Sequence, residues 1–384
     1  MPDRASDSEL SVGELLSMID SGQPMVLLDA RNEEEFRSWR LDGLRPVQTV
    51  NLPYFEFIEA PESSIARIPD TGQLIAVVCA KGDSSDLVAR MLREAGRNAK
   101  NVAGGMVAYG EHLWPVRVSL LAADAADFEL WQVNRRGKGC LSYVLRAGGE
   151  AAVVDPSRTA AFYLQFVERL GAQIVLVLDT HVHADHVSGG PSLARSCGAR
   201  YLLPSSRNAG VDGAPLRLGA PAISIEALAT PGHTPESVCY LIAGRYLLSG
   251  DTLFARGVGR PDLGERVEDW ARSLYRSLHQ RVLRLPDATR VLPAHYSGPS
   301  EMGRDGTVSQ LLGVLRSQAP ELRLESEELF VRAMASKAAP PPPHYALVAR
   351  MNLGELTGSE DQIQEWELGR NQCAVGSAAS AVQG

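Results

Sequence analysis

The sequence predicts two α/β domains in tandem, and three observations carry that prediction. The chain has 384 residues, too many for one ordinary domain. From residue 9 to about 118, short apolar runs alternate with stretches at helical spacing. From about 128 to 295, apolar strands recur whose ends each deliver a histidine or an aspartate. Hydrophobic residues make up 45% of the chain and mean hydropathy is −0.10, so both units can bury a sizeable core.

In the first unit, Glu9 to Ile19 places Leu10, Leu15, Leu16 and Ile19 at helical spacing. Met25 to Leu28 reads as a short strand ending in Asp29-Ala30-Arg31, and Glu33 to Arg40 as a charged helix. Leu74 to Val78 is a second buried strand that runs straight into Cys79. The loop holds Gly82, and Asp86–Ala95 follows as an amphipathic helix carrying Leu87, Met91 and Leu92 on one face. A cysteine alone at a strand end is more often a small buried apolar residue than a reactive one. On a loop whose N–H groups and helix N-terminus face the sulfur, it becomes a candidate for a stabilised thiolate. Lys81, Ser84 and Ser85 are placed to hydrogen-bond a small anion there.

Leu120 to Asp127 is small and acidic, with no Gly/Ser or Pro run, so the domain boundary is expected near residue 120 in a short ordered linker. Beyond it, Leu141–Leu145 and Ala151–Val154 read as neighbouring strands joined by a turn at Ala147–Glu150. Arg158 to Leu170 is an amphipathic helix. The apolar run Ile174–Leu178 then leads into Thr180-His181-Val182-His183-Ala184-Asp185-His186. One histidine there would be a solvated loop residue. Three histidines and an aspartate crowded after a buried strand call for a metal, because imidazole and carboxylate are its usual ligands.

Three later motifs add to the set. His233 lies in the rigid turn Thr230-Pro-Gly-His-Thr-Pro, Asp251 follows the strand Tyr246–Gly250, and His295 follows Val291-Leu-Pro-Ala. Seven candidate ligands thus come from four strand ends or turns in a chain with only 8 histidines.

The segments Leu27-Leu-Asp-Ala-Arg-Asn-Glu-Glu-Glu-Phe36, Val50-Asn-Leu-Pro53, Val77–Gly96 and Asn101–Gly110 resemble the single-domain rhodanese (sulfurtransferase) module. The resemblance implies that Cys79 carries a persulfide. The loop arginines common in that family are replaced by Ala80 and Ser84, which leaves Lys81 as the loop cation. The order H-x-H-x-D-H, His, Asp, His resembles the metallo-β-lactamase superfamily, implying an αββα sandwich with metal at one edge of its sheets. Ser249–Glu265, with Arg260 and Asp262 in a G-R-x-D pattern, is similar to the persulfide dioxygenases, as are Pro286–Gly298 and the segment Pro340–Glu355. Where many dioxygenases have Cys-Gly-Arg, this chain has Met302-Gly303-Arg304.

That resemblance implies one Fe(II) per chain on His181, His233 and Asp251, with His183, Asp185, His186 and His295 around them or serving a second metal. Arg260 and Asp262 would face the substrate. The implied reaction oxidises a thiol persulfide, by default glutathione persulfide, with O₂ to sulfite and thiol. Sulfur transfer among sulfite, thiosulfate and thiol would occur at Cys79. The alternative is a glyoxalase-II-like thioesterase with two Zn²⁺ and a non-catalytic rhodanese docking domain.

A net charge of −8 argues against a nucleic-acid partner. No apolar run reaches membrane-spanning length, and the polar N-terminus does not read as a signal peptide. The scattered, odd set Cys79, Cys140, Cys197, Cys239 and Cys373 predicts reduced thiols in a cytoplasm. A homo-oligomer is compatible with the sequence. Expected domains are 1–119 and 120–354, with a Ser/Ala/Gly/Gln-rich tail at 355–384 that lacks structure and in which Cys373 has no role.

Overall fold

The computed structural model describes residues 8–204, 214–262, 266–338, 340–342 and 344–373. Leu263, the sequence before Ser8 and the tail beyond Cys373 therefore lie outside the described residues.

The N-terminal unit is a five-stranded parallel sheet. Its spatial order is Glu9–Leu10, Ala99–Val102, Leu74–Val78, Met25–Asp29 and Gln48–Asn51. Every residue of Met25–Asp29 is buried, because helices cover both faces, which is why the strand reads as a continuous apolar run. Leu15, Leu16, Met106 and Tyr109 fill one face, and Phe57, Val88, Ala89 and Leu92 the other. The first helix starts at Val12, later than the Glu9 expected, since Glu9–Leu10 pairs as an edge strand. Ser11 and Glu14 form a reciprocal capping box at its start. The helix after Cys79 starts earlier than expected, at Asp83.

The second unit packs two six-stranded sheets face to face. One sheet runs Arg200–Leu202, Gln173–Leu178, Glu150–Val154, Cys140–Ala147, Glu129–Arg135 and Trp114–Arg117. The other runs Leu216–Leu218, Ile223–Ala229, Val238–Ile242, Tyr246–Gly250, Arg290–Pro293 and Gln310–Leu311. Leu145, Val154, Leu178, Tyr240, Leu248 and Leu292 meet between them. Helices Ala160–Arg169 and Gly190–Cys197 cover the outside of the first sheet. Val267–Gln280, Leu312–Gln318 and Glu327–Ala335 cover the second. The result is the αββα layering expected from the sequence.

Parallel pairing places the site. Gln173–Leu178 runs parallel to Glu150–Val154 and to Arg200–Leu202, and Tyr246–Gly250 runs parallel to Arg290–Pro293. Their carboxyl ends therefore meet at one edge, and Asp155, Asp179, Asp251 and His295 all follow such ends closely. Backbone bonds from Leu141 N to Ala294 O (2.7 Å) and from Val238 N to Thr180 O (2.8 Å) join the two sheets at that edge.

Two expectations about domain limits change. Trp114–Arg117 pairs antiparallel with Glu129–Arg135, so the second sheet begins before residue 120. Backbone pairing decides this, whereas the acidic linker is only the loop between the two strands. The stretch after Gly354, expected to lack structure, contains the helix Glu360–Trp366, opened by a Ser359–Gln362 capping box. What holds it down is a buried charge. Glu367 Oε2 lies 2.6 Å from Arg135 Nη1, and Glu367 Oε1 accepts from Val187 N at 2.8 Å, directly after the histidine loop. The expected helix over Glu321–Lys337 is a 3-10 turn at Pro320–Arg323 followed by Glu327–Ala335.

The Asn134–Gly139 turn also ties the two units together. Arg136 pairs with Asp20 (2.7 Å), Arg135 Nε donates to Gly110 O (2.6 Å), and Trp39 Nε1 donates to Gly137 O (2.8 Å).

Removing the Glu367 carboxylate strands the Arg135 guanidinium, which is only 3% exposed. Glu367→Ala is expected to cost about 3–5 kcal/mol, seen as a lower denaturant midpoint, with Glu367→Gln losing less.

Candidate metal centre

Thr180 through His186 turn sharply off the Gln173–Leu178 strand, and their side chains are fixed by a chain of donors. The Thr180 hydroxyl donates to Asp155 Oδ2 at 2.9 Å. Its oxygen is then free to accept from His181 Nδ1, 2.9 Å away. That leaves the lone pair of His181 on Nε2, which has no hydrogen-bond partner although fully buried. His233 Nδ1 donates to Arg260 O at 2.9 Å, so its lone pair is likewise on Nε2. Asp251 Oδ2 lies 3.3 Å from His233 Nε2 and 3.8 Å from His181 Nε2 and has no hydrogen-bond partner. The three groups offer ligand atoms all within 4.8 Å of one another. Backbone and hydroxyl partners hold both rings in the tautomer a metal requires.

Burial, then the neighbouring His183, keeps the pKa of His181 well below the ordinary imidazole value, and burial lowers that of His233. Both are neutral at pH 7, so no proton has to leave before a metal binds. Burial pushes Asp251 up, but His295 and His233 outweigh it and hold the carboxylate ionised.

The remaining histidines stand differently. His183 Nε2 contacts Asp155 Oδ1 at 3.0 Å and His186 Nδ1 contacts Asp185 Oδ1 at 3.0 Å. His295 lies between two carboxylates, with Nδ1 at 2.6 Å from Asp251 Oδ1 and Nε2 at 3.0 Å from Asp185 Oδ2. Burial opposes its charge, yet Asp185 and Asp251 raise its pKa well above the ordinary value. The two carboxylates thus favour the charged form of the ring. All seven sequence-predicted ligands converge here.

Family models described as "Rhodanese-like domain" and "Metallo-beta-lactamase superfamily" match residues 11–112, and 135–208 with 218–295, respectively. The human mitochondrial persulfide dioxygenase ETHE1 is 33% identical over 229 residues, 55% of this chain and 82% of that protein. The chain belongs to the ETHE1 persulfide dioxygenase family. A hydroxyacylglutathione hydrolase of Anaeromyxobacter dehalogenans is 38% identical over 177 residues, 44% of this chain and 66% of that protein. Among solved structures, a metallo-beta-lactamase of Staphylococcus aureus subsp. aureus COL is similar with 25% identity and a TM-score of 0.54, over 61% of this chain and 74% of that one. Family membership and the orphaned buried atoms agree that a metal is held here.

Other expected site residues are placed less simply. Arg260 is buried and forms a two-point ion pair with Asp262, one arm at 2.8 Å. Its backbone N–H donates to Cys373 O at 3.1 Å. In the rhodanese unit, Cys79 is 5% exposed, and its sulfur accepts from Gly82 N at 3.1 Å with Ser85 Oγ also at 3.1 Å. Lys81 is exposed and Ser84 half-buried. A Cβ on Gly105 would strike Cys79 O, so only glycine lets the loop close over the Gly105–Glu111 helix.

Sequence reasoning missed four participants. Asp155 orients Thr180 and His183. Asn352 donates to His183 O (2.7 Å) and His186 O (2.9 Å), fixing the loop from the far end of the chain. Cys140 Sγ lies 3.1 Å from Asp185 Oδ2, and Cys373 faces the cluster. Asp155 had a signal, since it ends an apolar strand as Asp251 does.

Asp251→Ala removes the only carboxylate among the three inner groups and is expected to abolish metal retention through gel filtration, measured as metal per chain. Asn352→Ala, which frees the loop without removing a ligand, is expected to weaken metal affinity about 10–100-fold.

Proposed function

We propose that the second domain oxidises a low-molecular-weight thiol persulfide, by default glutathione persulfide, at a single Fe(II) on His181, His233 and Asp251. The observation that carries this is the two-histidine, one-carboxylate face formed by His181, His233 and Asp251. Fe(II) on such a face leaves open positions for a sulfur and O₂, which is the chemistry it supplies. The overall change is RSSH + O₂ + H₂O → RSH + SO₃²⁻ + 2H⁺.

The chain's own residues do the rest. His181 and His233 are locked by Thr180 and Arg260 O, so the reacting groups meet without reorganisation. His295, set between Asp185 and Asp251, fixes the orientation of the Asp251 carboxylate. Arg260 and Asp262 are proposed to line the substrate end, Arg260 anchored by Asp262.

Cys79 is proposed to pass sulfur among sulfite, thiosulfate and thiol. Donors from Gly82 N and Ser85 Oγ support its thiolate. Lys81 and Ser84 stand where the anion would arrive. The five cysteines are all unpaired, in keeping with a reducing cytoplasm as the proposed setting. Among the described residues no helix is long and apolar enough to cross a membrane.

A dinuclear zinc thioesterase remains a second reading because His183 Nδ1 and His186 Nε2 also lack hydrogen-bond partners. Purification without chelators decides between them. About one iron per chain and oxygen uptake with glutathione persulfide is expected. Two zincs with cleavage of a glutathione thioester would overturn the proposal. Asp251→Ala should end oxygen uptake and leave sulfur transfer, whereas Cys79→Ser should do the reverse. Loss of both activities in either folded variant would refute two independent sites.

A further inference from the structure

The Cys79 loop contains a hydroxyl with more acceptors around it than protons to give. Ser85 is fully buried, and its Oγ lies 3.1 Å from Cys79 Sγ, 3.0 Å from Gly82 O and 2.7 Å from Asn101 Oδ1. A serine hydroxyl donates a single proton. Gly82 O already accepts from Asp86 N at 3.0 Å, as the first turn of the helix Asp83–Glu94 requires. The contest is therefore between the sulfur and Asn101, and Asn101 is the nearer of the two.

Asn101 stands on the strand Ala99–Val102, beside Val77 of the strand that runs into Cys79, and is 3% exposed. Its backbone N–H donates to Ser8 O at 3.0 Å, and its side-chain Nδ2 donates to Glu9 Oε1 at 3.4 Å. A carboxylate only accepts, so Glu9 selects the amide orientation that aims Oδ1 at Ser85. The consequence depends on where the charge of Cys79 sits. As a thiol, Cys79 can donate to Ser85 Oγ while Ser85 donates to Asn101, and every group is satisfied. As a thiolate, the sulfur accepts from Gly82 N at 3.1 Å and calls for the Ser85 proton as well. Ser85 can answer only by turning away from Asn101, which leaves two oxygens facing each other in a buried place. In the persulfide Cys79–S–S⁻ the charge has moved to the outer sulfur. The inner sulfur is then neutral, and Ser85 can return to Asn101.

We propose that Asn101 is a positioning residue for Cys79. By holding the Ser85 proton it raises the cost of the bare thiolate and not that of the persulfide, so it favours the loaded form. The bias towards loading rests on the sulfur-transfer reading of Cys79, whereas the contest for the proton does not. The loading step is Cys79–S⁻ + S₂O₃²⁻ → Cys79–S–S⁻ + SO₃²⁻. The thiolate bonds to the outer sulfur of thiosulfate, the S–S bond of thiosulfate breaks, and sulfite leaves with its electron pair.

The test follows alkylation of Cys79 by iodoacetamide in the full chain against pH, with the site identified by peptide mass spectrometry. Charged groups on the surrounding elements are Lys81 of the loop, Asp83, Asp86 and Arg90 of the next helix, and Glu9 and Lys100 of the strands on one side. On the other side are the Asp29–Arg31 pair, Glu56 and Glu59 of the helix Tyr54–Glu59, and Glu111. The variants leave them all in place. Greater exposure of the thiol raises the plateau of the curve, whereas control of the proton moves its midpoint. Asn101→Leu is expected to lower the midpoint by about one pH unit, the size of one hydrogen bond to a charged sulfur. Ser85→Ala is expected to raise it, and adding Asn101→Leu to Ser85→Ala is expected to change it no further. An unmoved or raised midpoint in Asn101→Leu, or an equal fall in the Ser85→Ala background, would overturn the proposal. Should the leucine variant not fold, Asn101→Ala removes the same acceptor and carries the same expectation. Loading is read by intact mass at a fixed ratio of thiosulfate to sulfite, at a pH above both midpoints. Wild type is expected to hold the persulfide with an equilibrium constant about tenfold above that of Asn101→Leu, and equal constants overturn the bias. If no variant takes up sulfur, the sulfur-transfer reading falls and the bias with it, while the midpoints decide the contest for the proton by themselves.

Discussion

Burying carboxylates is the constraint on which the rest of this protein depends. Asp155, Asp179, Asp185 and Asp251 are all 3% exposed or less at one edge of the sandwich. An isolated ionised carboxylate in such surroundings is prohibitive unless paired. The imidazoles, the Thr180, Tyr201 and Ser188 hydroxyls and backbone N–H groups provide that pairing. The rings are in turn oriented by the carboxylates. Neither set is tolerable without the other, and a metal cation relieves what imbalance remains. The parallel strand ends exist to bring these groups to one place.

Much of this was legible in the sequence, because a buried strand that ends in His or Asp leaves a local mark. Ile174–Leu178, Tyr246–Gly250 and Val291–Leu292 are apolar runs broken by a ligand type, and the structure keeps each as a strand. The strand that ends just before Cys79 was legible for the same reason. The capping box at Ser11 was available too, and would have moved the first helix start to its true place.

What could not be read has long-range causes. Glu367 and Arg135 are 232 positions apart, and neither residue hints at the other. A Ser/Ala/Gly/Gln-rich, acidic composition after Gly354 spoke for disorder, and one buried ion pair with a few side-chain caps outweighs it. Asn352 holds the metal loop from 169 positions away, through ordinary amide bonds without any motif. Cys140 opens an apolar strand and reads as packing. The boundary near Trp114 was hidden because Trp114–Arg117 is a half-exposed edge strand with weak patterning.

On the proposed function, the seam between the two units bears on how sulfur would travel. Arg136–Asp20, Trp39–Gly137 and Arg370–Asp42 fasten the units from several sides, two of these through groups that are buried. Such a seam resists the hinge motion that carries a swinging arm from one catalytic centre to another. On the proposed function, traffic between Cys79 and the metal centre would fall to a released small molecule, exposed in transit to any scavenger in the surrounding fluid. Fusion in one chain would then act as a source placed beside a sink, shortening the path without sealing it.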